Sequence, residues 1–161
     1  MKSIGHFING KEVRGKSGRS AEVFNPATGE VQALVDLASK TELDEAVSLA
    51  AKAQPAWANT NPQRRARVLM KFIEFLHRDM DKLAEVLSSE HGKTIPDAKG
   101  DVIRGLEVAE FCLGAPHLLK GDFTDSAGPG IDMYSMRQPI GVTAGITPFN
   151  FPAMIPMWKF C

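Results

Sequence analysis

Four apolar stripes at helical spacing follow one another between Thr41 and Leu119, and they oblige about half of the chain to fold as helices packed on one another. Leu43, Ala46, Val47, Ala50 and Ala51 make the first stripe, which the spacing predicts to end at Pro55. Thr41 and Asp44 have the spacing of a capping box at its start. Asn61-Pro62 is a cap residue followed by a proline at the first helical position, and Val68, Leu69, Phe72, Ile73 and Leu76 line the helix it opens. Asp79 suits the cap of a third helix carrying Leu83, Ala84 and Leu87, with Gly92 as its stop. The fourth starts near Pro96, carries Val102, Leu106, Ala109 and Leu113, and runs to about Leu119 before Gly121.

On either side of this block the pattern belongs to strands. Asn9-Gly10 in HFINGKEV is a hairpin signal, because both turn residues of that type need positive φ. Lys16 to Ser20 reads as a loop. A turn over Asn25 to Gly29 leads to a strand in which Val31, Ala33 and Val35 share the better-buried face. Beyond Gly121, DFTDSAGPG reads as a loop and IDMYSMRQPIGV as strand-like until Pro139. GVTAGITPF, nearly free of charge, has the composition of a buried parallel strand, and a parallel sheet needs several of these, each with a crossover helix.

Bulk properties exclude several classes of function. Lys and Arg number 19 and so do Asp and Glu, which leaves no net field for nucleic acid or an anionic membrane. Cys112 and Cys161 are too few and too far apart for a disulfide framework or a metal pattern, and the four histidines have no ligand spacing, so no metal is expected. The start has no secretory h-region and no stretch reaches membrane-span length; a reducing, cytoplasmic setting is expected.

Few residues have the character of chemistry. Asn150 follows the strand candidate between Phe149 and Phe151, where a side-chain amide can donate to a developing oxyanion or satisfy its own turn; spacing favours the turn. Arg104 interrupts an apolar helix stripe and suits a carboxylate, although a solvated arginine fits the spacing better. Cys112 reads as core and Cys161 as a chain end without the shell that activates a thiol. No glycine-rich nucleotide fingerprint is present.

The order of these segments carries more than any one of them. FNPATGEV, then Ala53 to Trp57, then SSEHGKTIPDAKGDV, then QPIGVTAGITPFNFP resembles the N-terminal part of the aldehyde dehydrogenase superfamily, over about Phe7 to Phe160. Phe149, the run Asp101 to Phe111, and FNFPAMIPMW resemble its CoA-acylating methylmalonate-semialdehyde dehydrogenase branch. The resemblance implies an α/β fold of which this chain is the N-terminal part. Residues 1–122 would be hairpins and helices of the cofactor-binding domain, 123–139 the start of an oligomerisation arm, and 140–161 the first strand and turn of a Rossmann-like sheet. It implies that Asn150 is the oxyanion-hole amide, that Ile146, Thr147, Pro148 and Phe149 lie along NAD, and that Arg104 faces a substrate carboxylate. It further implies CoA as co-substrate, a carboxylate-bearing semialdehyde as substrate, and a homo-oligomer. The family's nucleophilic cysteine and general-base glutamate would follow Cys161, so the 161-residue chain alone is expected to be inactive. A non-catalytic α+β interaction module is the alternative; it would have to bury Val142, Ile146, Phe149, Phe151, Ile155, Trp158 and Phe160.

Overall fold

The computed structural model describes residues 2–161. Five strands open the chain: β1 (Lys2–Ile4), β2 (His6–Ile8), β3 (Lys11–Val13), β4 (Ser20–Phe24) and β5 (Val31–Asp36). Asn9 and Gly10, at φ of 53° and 76°, close the β2–β3 hairpin as expected. In the three-stranded sheet β5 lies centrally, antiparallel to β4 and parallel to β1. Ala33 is its most buried residue. The parallel partner β1 is too short, at three residues, to show an alternating pattern in sequence.

Four helices follow: α1 (Lys40–Ala58), α2 (Pro62–His91), α3 (Ile95–Cys112) and the short α4 (Ala115–Leu118). The cap of α1 is Ser39 with Glu42, two residues before the Thr41–Asp44 box expected from sequence. The Glu42 N–H donates to Ser39 Oγ, and the Ser39 N–H donates back to Glu42 at 2.8 Å. Pro55 does not end α1, which continues three residues beyond it to Ala58 at the loss of the one backbone bond that its missing N–H would make. Nor does Asp79 start a helix. α2 runs unbroken past it, and its carboxylate is taken by Arg78 and Lys82 instead of backbone amides. Asn61 and Gly92 bound α2 as expected, Gly92 at φ 86°. The fourth helix breaks at Leu113-Gly114, earlier than Leu119.

The capping glutamate sets a pH dependence. The Ser39 N–H, and after it the Lys16 N–H, donate to the Glu42 carboxylate and lower its pKa from 4.5 to about 2. A depressed folded-state pKa contributes stability above the ordinary value, lost as pH falls toward the folded one. Glu42→Gln should therefore melt below the wild type at pH 7, with the gap closing between pH 4.5 and about 2. A gap that stays constant across that range would refute the assignment.

The core lies where α2, α3 and the last helix, α5 (Met154–Phe160), meet: Leu76, Ala84, Leu87, Ala98, Val102, Leu106 and Met157. Gly105 permits the close crossing of α3 and α5, since a Cβ there would meet Met157 Cε at 2.5 Å and Met154 Cα at 3.1 Å. Gly105→Val should therefore destabilise the protein by about 2 kcal/mol through overpacking, read from the urea midpoint; an unchanged midpoint would show that α5 can move away freely.

Two expectations change after α4. Residues 123–128 form a strand, β6 (Phe123–Gly128), paired with β7 (Ile131–Tyr134) around Gly130 at φ 69°. Its polar, exposed side chains gave no strand pattern. The run from Gly141 to Phe149, expected as a buried strand, pairs with no described strand, and Ile140 and Ile146 are 90% and 93% exposed. A parallel strand is defined by neighbours that take its N–H and C=O groups, and among the described residues none lies beside it. The fold remains a mixed α/β arrangement.

Candidate functional site

The tight turn from Phe149 to Ala153, which leads into α5, carries the candidates Phe149 and Asn150 and follows directly on Ile146, Thr147 and Pro148. It is held by a polar pair reaching up from beneath. Thr94 caps α3, so the chain leaves Gly92 and turns at once into a helix whose buried face carries Asp101. Asp101 is fully buried, and Lys93, one residue after Gly92, has a side chain only 7% exposed. The Lys93 ammonium donates to Asp101 Oδ2 at 3.2 Å and to the carbonyl of Asn150 at 3.2 Å. The other oxygen, Asp101 Oδ1, accepts from the Met154 N–H at 2.7 Å. The Phe151 ring lies 4.8 Å from Lys93 Nζ. A buried charge pair with its remaining donors and acceptors satisfied is the arrangement that keeps desolvation from undoing the attraction.

Asn150 is fixed through its backbone and free at its side chain. Its carbonyl takes the Lys93 proton, while the exposed side-chain amide bonds to no described residue. Other asparagines of the chain do satisfy turns. Asn25 Oδ1 accepts from the Ala27 N–H at 2.9 Å, and Asn61 Oδ1 from the Gln63 N–H at 2.9 Å. The turn role that spacing favoured for Asn150 is absent from its contacts, leaving two amide protons for an outside acceptor.

Phe149 stacks tilted on His91, with centroids 5.3 Å apart, and is 61% exposed. Ile146 and Pro148 are exposed and Thr147 half-buried; Lys159 Nζ donates to the Ile146 carbonyl at 2.5 Å. Arg104 stands on the exposed flank of α3, its guanidinium 6.0 Å from the Phe151 ring, with no ion pair among the described residues. It is exposed, as its spacing favoured, and the apolar stripe passes beside it through Val102, Gly105 and Leu106. Asn150, Phe149 and Arg104 thus border one turn.

The cysteines lie elsewhere. Cys112 and Cys161 line a hollow of about 230 Å³ with Trp57, Arg65 and Phe160. Burial, then the neighbouring Cys112, pushes the Cys161 thiol up, the reverse of what a nucleophile needs. A hollow of about 600 Å³ between the β2–β3 hairpin and α1 contains none of the candidate residues. No group of His, Cys, Asp and Glu among the described residues is arranged to hold a metal, and no described helix is long and apolar enough to cross a membrane.

Sequence reasoning missed Lys93 and Asp101. It took His91-Gly92-Lys93 as a helix end and Asp101 only as part of a longer run. The available signal was an acid on the Ala98–Val102–Leu106–Ala109 face of α3, since a buried carboxylate needs a partner.

The model of the aldehyde dehydrogenase family matches residues 13–161. A malonate-semialdehyde dehydrogenase of Pseudomonas aeruginosa is 48% identical over 160 residues, 99% of this chain and 32% of that protein. An Arabidopsis thaliana relative, named methylmalonate-semialdehyde dehydrogenase [acylating], mitochondrial, is 46% identical over 98% of this chain and 26% of its own length. Among solved structures, a Sinorhizobium meliloti protein described as a methylmalonate-semialdehyde dehydrogenase, complexed with NAD, superposes with a TM-score of 0.95 at 66% identity. That match covers 98% of this chain and 32% of the other. The chain spans about a third of the length of the curated relatives it matches.

Proposed function

From a chain that belongs to the aldehyde dehydrogenase family, we propose the amino-terminal part of an NAD-dependent, CoA-acylating semialdehyde dehydrogenase. Its substrate would be malonate or methylmalonate semialdehyde and its product an acyl-CoA. The observation that carries this reading is Asn150: an uncommitted amide on a turn pinned by its own backbone. In such an enzyme a thiolate adds to the aldehyde carbon, and the acyl group later passes to CoA. The negative charge that forms on the aldehyde oxygen is what Asn150 Nδ2 donates to, a preorganised dipole that needs no reorientation. Arg104 binds the substrate carboxylate, because a guanidinium with no ion-pair partner among the described residues offers a bidentate fork.

NAD, when bound, takes up the hydride. The strip Ile146, Thr147, Pro148 and Phe149, exposed except at the half-buried Thr147, fits it: apolar surface for a ring face and one hydroxyl beside Asn150. The nucleophile and general base belong to residues outside this chain; neither cysteine borders the Asn150 turn's contacts. The β6–β7 hairpin exposes Phe123, Ile131, Met133 and Tyr134 and is the surface we assign to self-association into a homo-oligomer. The cytoplasmic setting is likewise proposed.

The reading as a self-contained interaction module fares worse. It required Val142, Ile146, Phe149, Phe151, Ile155, Trp158 and Phe160 to be buried; Phe151 and Ile155 are half-buried, and the other five are from 45% to 93% exposed. The test is product identity. A full-length enzyme carrying this chain, given methylmalonate semialdehyde, NAD and CoA, should yield a CoA thioester by mass spectrometry. Free acid as the only product would exclude the acylating chemistry, and no oxidation would exclude the dehydrogenase reading.

A further inference from the structure

Resting on the reading of Asn150 as the oxyanion donor, we propose that Lys93 and Asp101 are positioning residues that set where this amide stands. The pair brackets the turn at both ends. Lys93 holds the Asn150 carbonyl at 3.2 Å, Asp101 holds the Met154 N–H at 2.7 Å, and the two side chains are joined at 3.2 Å. The turn between these anchors therefore cannot shift without breaking a contact to a fully buried carboxylate or to an ammonium that is 7% exposed. Phe151, next to Asn150, is held by the same cation through its ring face at 4.8 Å. Asp97 Oδ2, at 3.9 Å, is the other carboxylate facing Lys93, but that side chain is 58% exposed, so Asp101 is the anchor. Asp101 lies on α3, and Lys93 sits between the cap of α2 at Gly92 and the cap of α3 at Thr94, so both anchors are fixed by rigid helices. A donor displaced by an ångström loses much of its effect on a forming charge, although the substrate still binds.

The experiment is a double-mutant cycle in a full-length enzyme carrying this chain. Lys93→Met should lower kcat about tenfold and leave KM for the aldehyde within about twofold. In an Asn150→Ala background the same substitution should cost nothing more, since there is no amide left to misplace. A further tenfold loss in that background, or wild-type kcat for Lys93→Met alone, would overturn the proposal. If Asn150→Ala itself kept full activity, the oxyanion reading would fail and take the proposal with it; if Asn150→Ala is impaired and Lys93→Met is not, only the proposal falls. Should Lys93→Met not fold, Asp101→Asn keeps the shape and weakens only the ionic hold. It should give the same split, with the Met154 amide exchanging about tenfold faster with solvent, and unchanged exchange with unchanged kcat would sink the idea equally.

Discussion

Replacing Asn150 by alanine in a full-length enzyme carrying this chain is expected to lower kcat by about 10²–10³, the scale on which a single oxyanion donor acts. The expectation follows from what the residue does and does not touch. Its backbone carbonyl is engaged by Lys93, and its side chain is bonded to nothing described. Truncation at Cβ therefore leaves no buried group orphaned, so stability should hardly change while the donor disappears. KM should stay nearly constant, because the ground-state carbonyl gains less from the amide than the charged oxygen that follows. Single-turnover NADH formation would report the loss directly. An equal fall in kcat and in melting temperature would show instead that Asn150 belongs to the scaffold, and undiminished single-turnover rates would remove it from the reaction.

Elements whose signals are local were legible in the sequence. Asn9-Gly10, Asn61-Pro62 and Gly92 each encode a backbone conformation that neighbours do not decide, and all three bound elements as read. Errors arose where one residue could serve two contexts. Asp79 is a good cap residue, but beside Arg78 and Lys82 it pairs with charges on the helix surface. Pro55 is a potential helix breaker, but it falls three residues before the end of α1, so little of the helix follows the break in its ladder. Ser39 took the cap from Thr41 because Glu42 reaches both the Ser39 amide and the Lys16 amide 26 positions away, a tie invisible locally.

The site divided along the same line. Asn150, Phe149 and Arg104 come from two separate segments, and no spacing rule joins them. Their order along the chain pointed to a resemblance, and the fold then set Phe149 on His91 and Arg104 near Phe151. Lys93 and Asn150 are 57 residues apart, and only the crossing of α3 and α5 at Gly105 brings their elements together. The expected strand from Gly141 to Phe149 failed for a related reason. Its composition describes a place inside a sheet, and a sheet is a property of several segments at once.

On the proposed function, substitution of Arg104 should separate charge recognition from the chemical step. The guanidinium stands beside the turn at 6.0 Å from Phe151, outside the core and with no carboxylate partner among the described residues. Arg104→Leu should therefore leave the fold intact and raise KM for a carboxylate-bearing semialdehyde about 10- to 100-fold, the loss expected for a charge-assisted hydrogen bond. For an uncharged aldehyde of similar size KM should change by no more than about twofold, so the ratio of the two shifts is the decisive quantity. Arg104→Lys keeps the charge but loses the planar fork, and should fall between wild type and leucine. The effect should also be graded by salt, because an exposed arginine attracts its ligand through screened water. Raising ionic strength should weaken the wild type toward the leucine variant for the charged substrate alone. Equal KM shifts for both aldehydes would take Arg104 out of the substrate site and leave it a surface cation packed beside Phe151.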